Sequence, residues 1–523
     1  MTPSALVAVL TVVDTVDGLN RSLSSLIAQS DPHWQWCIAV AADSPSGTLD
    51  AVKRVIASEP RAIAVPGSAD RGELAALALS VARASAVTWL DGGDMVDASA
   101  FQVVGQKLRS APWVYTDEGA IDDEGVTVDV WLKPDFAPER LRSQPYALRL
   151  AVLPLDKVRD SGGIRADAGT AAWYDVVLRM AAQLGPPAHI AGPYYLHGRR
   201  GSGVPFVSGD PLDRCRVVSW AMEEFGNSVQ VSPIDVAGRP VGQRVRRLPE
   251  RLPRISAIIP TRASSSLIYG FPRCHAVEFV RSLWSADRYP DLEVVIVYDD
   301  GTPTAALEEI TEMTGGEAVL VPFYGPFHFS RKCNAGALAA SGDYLCFLND
   351  DMEVVTPDWL HELASLLTDP GVGAVGARLL FADGTLQHAG HEYNGGYPGH
   401  TMFRFGVTDI DQGGAALVTS ERSGVTGACM LLRASDYLRV GGFSEEFPLS
   451  YNDVDLSLKI GALGLRILYT PHATLFHYES QTREAKATKT EIALIRRRWS
   501  AQLQADPYIN ELHHISIAAA DAG

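Results

Sequence analysis

With 523 residues the chain is too long for one hydrophobic core and long enough for two or three domains. A hydrophobic content of 46% with 20% charged residues excludes a disordered chain, and a net charge of −17 excludes a general nucleic-acid binder, which needs a basic face to displace counterions. No apolar run approaches the roughly 20 residues that cross a bilayer.

The first residues, "MTPSALVAVLTVVDTVDG", carry no basic n-region and run into a strand-like pattern, so no signal peptide is expected. Six scattered cysteines without a CxxC spacing read as reduced, buried thiols of a cytoplasmic protein. After "ALVAVLTVVD" come the helical stretch "LNRSLSSLIAQS", the apolar strand "HWQWCIAVAADS" and the segment "ALALSVARASAVTWLDGGD". Strands alternating with amphipathic helices predict βαβ units and an α/β fold with largely parallel sheets.

"GSGVPFVSGDP" and "RRLPERLPR" are Gly/Pro-punctuated and bracket the short helix "DRCRVVSWAMEEF". They divide the chain into a first domain at 1–205, a linker with a short helix at 206–253 and a second domain at 254–523. The second domain repeats the first: "RISAIIPTRA", "HAVEFVRSLWSAD", "DLEVVIVYDDGT" and "NAGALAASGDYLCFLNDD" occur in the same order as their counterparts. A repeat this long indicates two related domains, not a solenoid. The chain finishes in "KATKTEIALIRRRWSAQLQ", whose basic cluster is expected on a solvated helix face; peripheral contact with an acidic membrane surface stays open.

In open α/β sheets, ligands collect at the carboxyl ends of the strands. Asp299–Asp300 and Asn349–Asp350–Asp351 stand at two such ends. Neighbouring carboxylates repel each other, and a divalent cation between them and a phosphate turns that repulsion into shared attraction. The plain structural alternative is a turn that caps the helix beginning in "TPDWLHELASLL".

Seven segments then appear in order: "IIPTRA", "VIVYDDGT", "NAGALAASGDYLCFLNDDMEV", "GARLLFADGTLQHAG", "TGACMLLR", "GGFSEEFPLSYNDVDLSLK" and "YTPHATLFHYES". Together they resemble the inverting family-2 glycosyltransferases of GT-A fold, especially the rhamnosyltransferase-like members, over roughly Arg254–Tyr508. The resemblance implies two tandem GT-A domains. It also implies a Mn²⁺ or Mg²⁺ cofactor and a nucleotide-diphosphate sugar donor, uridine- or deoxythymidine-linked. The acceptor would be a glycan, a lipid-linked glycan or a protein.

Residue by residue, the resemblance places Thr261 and Asp300 at the donor's nucleotide, and Asn349, Asp350 and Asp351 at the DxD-type motif, with Asp351 a metal ligand. Asn349 stands where many relatives carry Asp, and His477 matches a histidine that completes the metal site. Arg331, Lys332 and Asn334 resemble the donor-contacting segment, with a solvated helix start as the alternative. Asp453 matches the base that takes the acceptor proton, Asn452 replaces a more frequent Glu, and Asp455 is expected to brace the helix. His388, His391 and His400 lie close in sequence but lack a zinc-ligand spacing, and are expected in a loop that shapes the sugar pocket.

The first domain resembles a degenerate copy. Val40 and Ala41 replace the strand-end acids, Gly92 and Gly93 separate Asp91 from Asp94, and Trp173 occupies the position of the base, while Asp175 and His197 persist. It is expected to be non-catalytic, serving as scaffold or acceptor-binding domain. Two other readings compete: a non-catalytic carbohydrate-binding or assembly protein, and a sugar-phosphate nucleotidyltransferase, for which "PTRASSSL" is a poor phosphate loop.

Overall fold

The computed structural model describes residues 5–122, 125–198, 207–268, 270–286, 289–411, 413–478, 487–510 and 512. The chain forms two compact units. One holds the described residues up to Val245 with short returns at 413–414 and 509–510; the other holds Arg246–Asp411 and Ala415–Tyr508.

In the first unit, strand Ala5–Val13 lies between Trp34–Ala41 and Ala84–Trp89, parallel to both, with Ala62–Gly67 outside Trp34–Ala41. Val7, Val9, Leu10 and Val12 are all buried, as a central parallel strand covered on both faces requires. Helix Val16–Ile27 starts where the Thr15 side chain accepts from Gly18 N–H, and it buries Leu19, Ser22 and Leu26, one face at helical spacing. A separate four-stranded sheet is built on Val114–Ile121 and Ala188–Gly198.

The second unit repeats the first four strand positions. Val319–Phe323, Leu292–Asp299, Ile255–Thr261 and Tyr344–Leu348 lie side by side in parallel. Helix His275–Ser285 packs one face of this sheet through Ala276, Phe279, Val280 and Leu283. Helix Phe329–Ala339 packs the other, and Gly336 lets it approach, since a Cβ there would stand 2.4 Å from Ile258 Cγ2. Beyond Tyr344–Leu348 the sheet turns mixed: Cys429–Arg433 is antiparallel to it, followed by Val372–Leu380, Arg466–His477 and the short Met352–Val354.

The segment expected as a linker is structured. It contains helix Pro211–Glu223, capped by Asp210, and the hairpin Val229–Val236/Arg239–Arg247, and up to Val245 it belongs to the first unit. Residues 199–206 and 479–486, which include parts of the expected linker and of "HYES", lie outside the described residues. All six cysteines are free. Among the described residues no helix is long and apolar enough to cross a membrane. In the basic C-terminal helix Lys489–Gln504, Arg496 lies over the Tyr397 ring at 3.8 Å and Arg498 pairs with Asp455 at 2.8 Å, so two of its three consecutive arginines turn onto protein.

Candidate functional site

Three strand ends and one helix start converge on a pocket of about 310 Å³ in the second unit. Strand Ile255–Thr261 supplies Thr261, strand Tyr344–Leu348 runs into Asn349–Asp351, strand Arg466–His477 ends in His477, and helix Asn452–Ala462 begins with Asp453. All six of these residues line the pocket, with Phe327, Phe329, Thr426 and Gly427 among its walls.

The acidic end is held by a short network. Thr261 Oγ1 donates to Asp350 Oδ2 at 2.5 Å and accepts from Ala263 N–H at 2.8 Å. Burial, then repulsion from Asp351, pushes the Asp350 carboxyl up to about 6. Asp351 moves the other way: burial would raise it, but the charge and hydrogen bond of His477 outweigh that and hold it below the usual carboxylate range. The register pairs Met352 with His477, which sets His477 Nε2 at 3.2 Å from Asp351 Oδ1 and 3.0 Å from Asn349 Nδ2. On its other side His477 Nδ1 donates to Gln387 Oε1 at 2.6 Å. That bond occupies Nδ1 and leaves Nε2 facing Asp351, where it donates to the carboxylate when the ring is protonated and offers its lone pair to an ion when the ring is neutral, as outer-shell partners arrange for a metal-binding imidazole. A lone pair facing a carboxylate beside a second carboxylate is a donor set that fits a divalent cation of the Mn²⁺ or Mg²⁺ class.

The base candidate sits across the same pocket. Asp453 Oδ2 accepts from Gly427 N–H at 3.0 Å and Oδ1 from Val454 N–H at 2.9 Å. The helix start is set by Tyr451, held at φ 61°, and the preceding turn is pinned because Glu491 accepts from the N–H groups of Leu449 and Ser450. Asp455 is buried and braces the helix as expected: it meets Lys459 at 3.1 Å, Arg498 at 2.8 Å and Trp499 Nε1 at 2.9 Å.

The remaining expected donor contacts divide. Lys332 is fully buried below the pocket, donating to Thr261 O at 2.7 Å and pairing with Asp299 Oδ1 at 2.9 Å. Asp300, expected at the donor's nucleotide, is exposed in the turn after its strand, and its neighbour Asp299, marked from sequence only as a strand-end acid, is the one tied into the site. Arg331 pairs with Glu445 at 2.8 Å on the surface. Asn334 is occupied by Tyr437 OH and the backbone of Phe443. Residues 331 and 334, three apart, share one side of the helix and 332 is turned about 100° from 331, so of the three only Lys332 touches a pocket residue, Thr261. Gln387 and Gly427 also escaped sequence reasoning; a neutral amide and a backbone N–H leave no pattern to read.

In the first unit the matching positions are filled. Trp173 is buried, stacked on Trp89 at 6.5 Å, and Trp89 Nε1 donates to Asp91 at 2.8 Å. Asp94 accepts from Tyr195 OH at 2.7 Å, and Asp175 is buried against Arg179 and Arg165. His197 lies face to face with Trp131 at 5.1 Å.

Residues 273–435 match the family model described as Glycosyl transferase family 2. Over 522 residues the chain is 31% identical to the O-antigen biosynthesis protein RfbC of Myxococcus xanthus, covering 97% of this chain and 40% of that one. It is 30% identical over 201 residues to the pre-mycofactocin glycosyltransferase of Mycobacterium tuberculosis, covering 37% of this chain and 40% of the relative. It is also 38% identical over 52 residues to the rhamnosyltransferase WbbL of Escherichia coli, 10% of this chain and 20% of that one. The chain thus spans well under two thirds of the length of these curated relatives.

Proposed function

We propose, from a chain that carries a glycosyl transferase family 2 domain at 273–435, that the second unit is an inverting glycosyltransferase using a nucleotide-diphosphate sugar. The observation that carries this reading is the convergence of Asp350, Asp351 and His477 with Asp453 on one pocket. Asp351 and His477, with Asn349 beside them, would hold Mn²⁺ or Mg²⁺. Such an ion supplies charge neutralisation for the diphosphate leaving group. Thr261 and Asp350 form the nucleotide side of the pocket, and Lys332 steadies Thr261 from below.

Asp453 takes the proton of the acceptor hydroxyl while that oxygen forms a bond to the anomeric carbon. The carbon's bond to the diphosphate breaks on the opposite face, which inverts the configuration. Backbone N–H groups on both Asp453 oxygens orient the carboxylate for this task, and general-base help is worth about 10²–10⁴ in rate. The names of the relatives favour a rhamnose-type sugar and a glycan or lipid-linked glycan acceptor, with a protein acceptor as the less supported choice. The first unit, with Trp173 and Trp89 stacked where a base would stand, serves as a non-catalytic scaffold or acceptor-binding domain.

Donor hydrolysis measured over a panel of nucleotide sugars with Mn²⁺ tests the assignment. Wild type is expected to hydrolyse one donor slowly and Asp453→Asn and Asp351→Ala to lose that activity; equal hydrolysis by all three proteins would sink it.

A further inference from the structure

Outside the pocket network, three histidines that lie 3 and 12 positions apart in sequence meet in space. Strand His391–Asn394 pairs antiparallel with Tyr397–His400, and the register sets His391 directly opposite His400. Residues opposite each other in such a pair project to the same face. His388 joins them from the end of strand Leu386–His388. The three ring centres are mutually 5.0 Å apart, with interplanar angles of 79°, 79° and 78°. One candidate ligand atom from each lies within 4.8 Å of the other two.

This is the arrangement that three imidazoles take around a shared ion. A zinc–nitrogen bond of about 2.0–2.1 Å puts each ring centre about 3 Å from the metal, and three rings spread tetrahedrally then have centres about 5 Å apart. A second observation is independent of that geometry. His391 is 4% exposed, and its Nδ1 is buried with no hydrogen-bond partner among the described residues. An unpaired buried polar atom is destabilising, and a bound cation would give it a partner. Gly424 permits the close approach, since a Cβ there would stand 3.0 Å from His391 Nδ1.

We propose that His388, His391 and His400 form a second cation site, selective for a borderline transition ion such as Zn²⁺ and distinct from the carboxylate site. The donor set is three imidazoles and no carboxylate, which suits Zn²⁺ or Co²⁺ better than Mg²⁺ or Mn²⁺. His388 Nδ1 and His400 Nδ1 are 2.8 Å apart and share one proton, while His388 Nε2 accepts from Thr426 N–H at 3.1 Å. The ion takes the place of the shared proton, which leaves to solvent; His388, whose Nε2 stays engaged by Thr426 N–H, then binds through Nδ1 as an imidazolate, while His391 and His400 bind as neutral rings. Water fills the fourth position. Next to Thr426, Gly427 N–H holds Asp453, so the site clamps the Leu386–His400 region to the turn that orients the base.

The test uses the full chain, stripped of metal with a chelator and titrated with Co²⁺ alone and with Zn²⁺ alone. Wild type is expected to show the visible absorption of Co²⁺ in a tetrahedral nitrogen site, with that absorption saturating at one equivalent per chain, lost to Zn²⁺ but not to Mn²⁺. Asp351→Asn is expected to keep these bands. His391→Ala and His400→Ala are expected to weaken binding by more than about 100-fold, beyond what loss of an outer-shell partner costs. Should His391→Ala fail to fold, as judged by circular dichroism, His400→Ala at the more open edge decides. Absence of the bands in wild type, their survival in the histidine variants, or their loss in Asp351→Asn would overturn the proposal, and none of these results depends on transfer activity.

Discussion

Gly427 N–H donates to Asp453 Oδ2 at 3.0 Å, so the turn that walls the pocket also aims the carboxylate assigned to deprotonation. An isosteric Asp453→Asn replacement keeps an acceptor for that N–H and removes the base. Turnover is expected to fall about 10²–10⁴-fold with the donor dissociation constant within about threefold of wild type. Donor binding by calorimetry, set beside initial rates, checks this; a parallel loss of affinity would move Asp453 from base to donor contact.

Asp455 separates the neighbouring structural role from the chemical one. It is buried among Lys459, Arg498 and Trp499. Asp455→Ala removes the carboxylate from Lys459 and Trp499 and leaves Arg498 with Glu446 alone, and is expected to cost about 3 kcal/mol of stability. Whatever protein remains folded should show the pH–rate profile of wild type. A shifted profile would give Asp455 a share in catalysis.

How far the site could be read from the sequence depends on how locally each part is written. Asp350, Asp351 and Asp453 sit at the edge of an apolar strand or the start of a helix, so chain-local pattern exposes them. Three of the four parallel strands of each unit are legible for the same reason; Ala62–Gly67 and Val319–Phe323, at the sheet edges and only partly buried, are not. Asn334 and Arg331 turned away because helix phase, not composition, chooses which side chain meets the pocket. The antiparallel half of the second sheet consists of strands as short as the three residues Met352–Val354, too brief for a clear period. The three histidines had one legible signal, the Gly395–Gly396 pair between "HEYN" and "YPGH", which marks a tight hairpin and would have set His391 against His400.

Lys332 is fully buried, and its ammonium bridges Asp299 and the Thr261 carbonyl. Lys332→Met keeps the volume and leaves Asp299 only the longer contact to the exposed Arg262 at 3.8 Å, which lowers stability by about 3 kcal/mol. Chemical denaturation would record it as a lower midpoint, and an unchanged midpoint would mean that the ion pair contributes nothing net.

In the first unit, Glu118 is buried against Arg149 at 2.6 Å and Lys133 at 3.5 Å. Burial alone would raise its carboxyl, but these two cations prevail and lower it to about 2. A carboxylate with a depressed folded-state value stabilises fully above its unfolded value, near 4.3, and loses that contribution as the pH falls toward 2. The contribution is about 3 kcal/mol. Acid unfolding followed by fluorescence should therefore be steeper between about pH 4.5 and 2 in wild type than in Glu118→Gln, which is less stable at pH 7. Superimposable acid transitions would refute the assignment.

The first unit's own acids provide a negative control. Asp91→Asn is expected to leave transfer within about twofold of wild type, because Asp91 engages Trp89 and not an open pocket. A loss comparable to that of Asp453→Asn would make the first unit a second catalytic centre.

The central claim is that the pocket between Asp351 and Asp453 receives a metal-bound nucleotide diphosphate. A crystal structure with Mn²⁺ and UDP or dTDP tests it most directly. The ion is expected against Asp351 and His477, the base toward Thr261, and the β-phosphate directed at Asp453. An empty pocket at saturating nucleotide, or a nucleotide bound elsewhere on the chain, would contradict it.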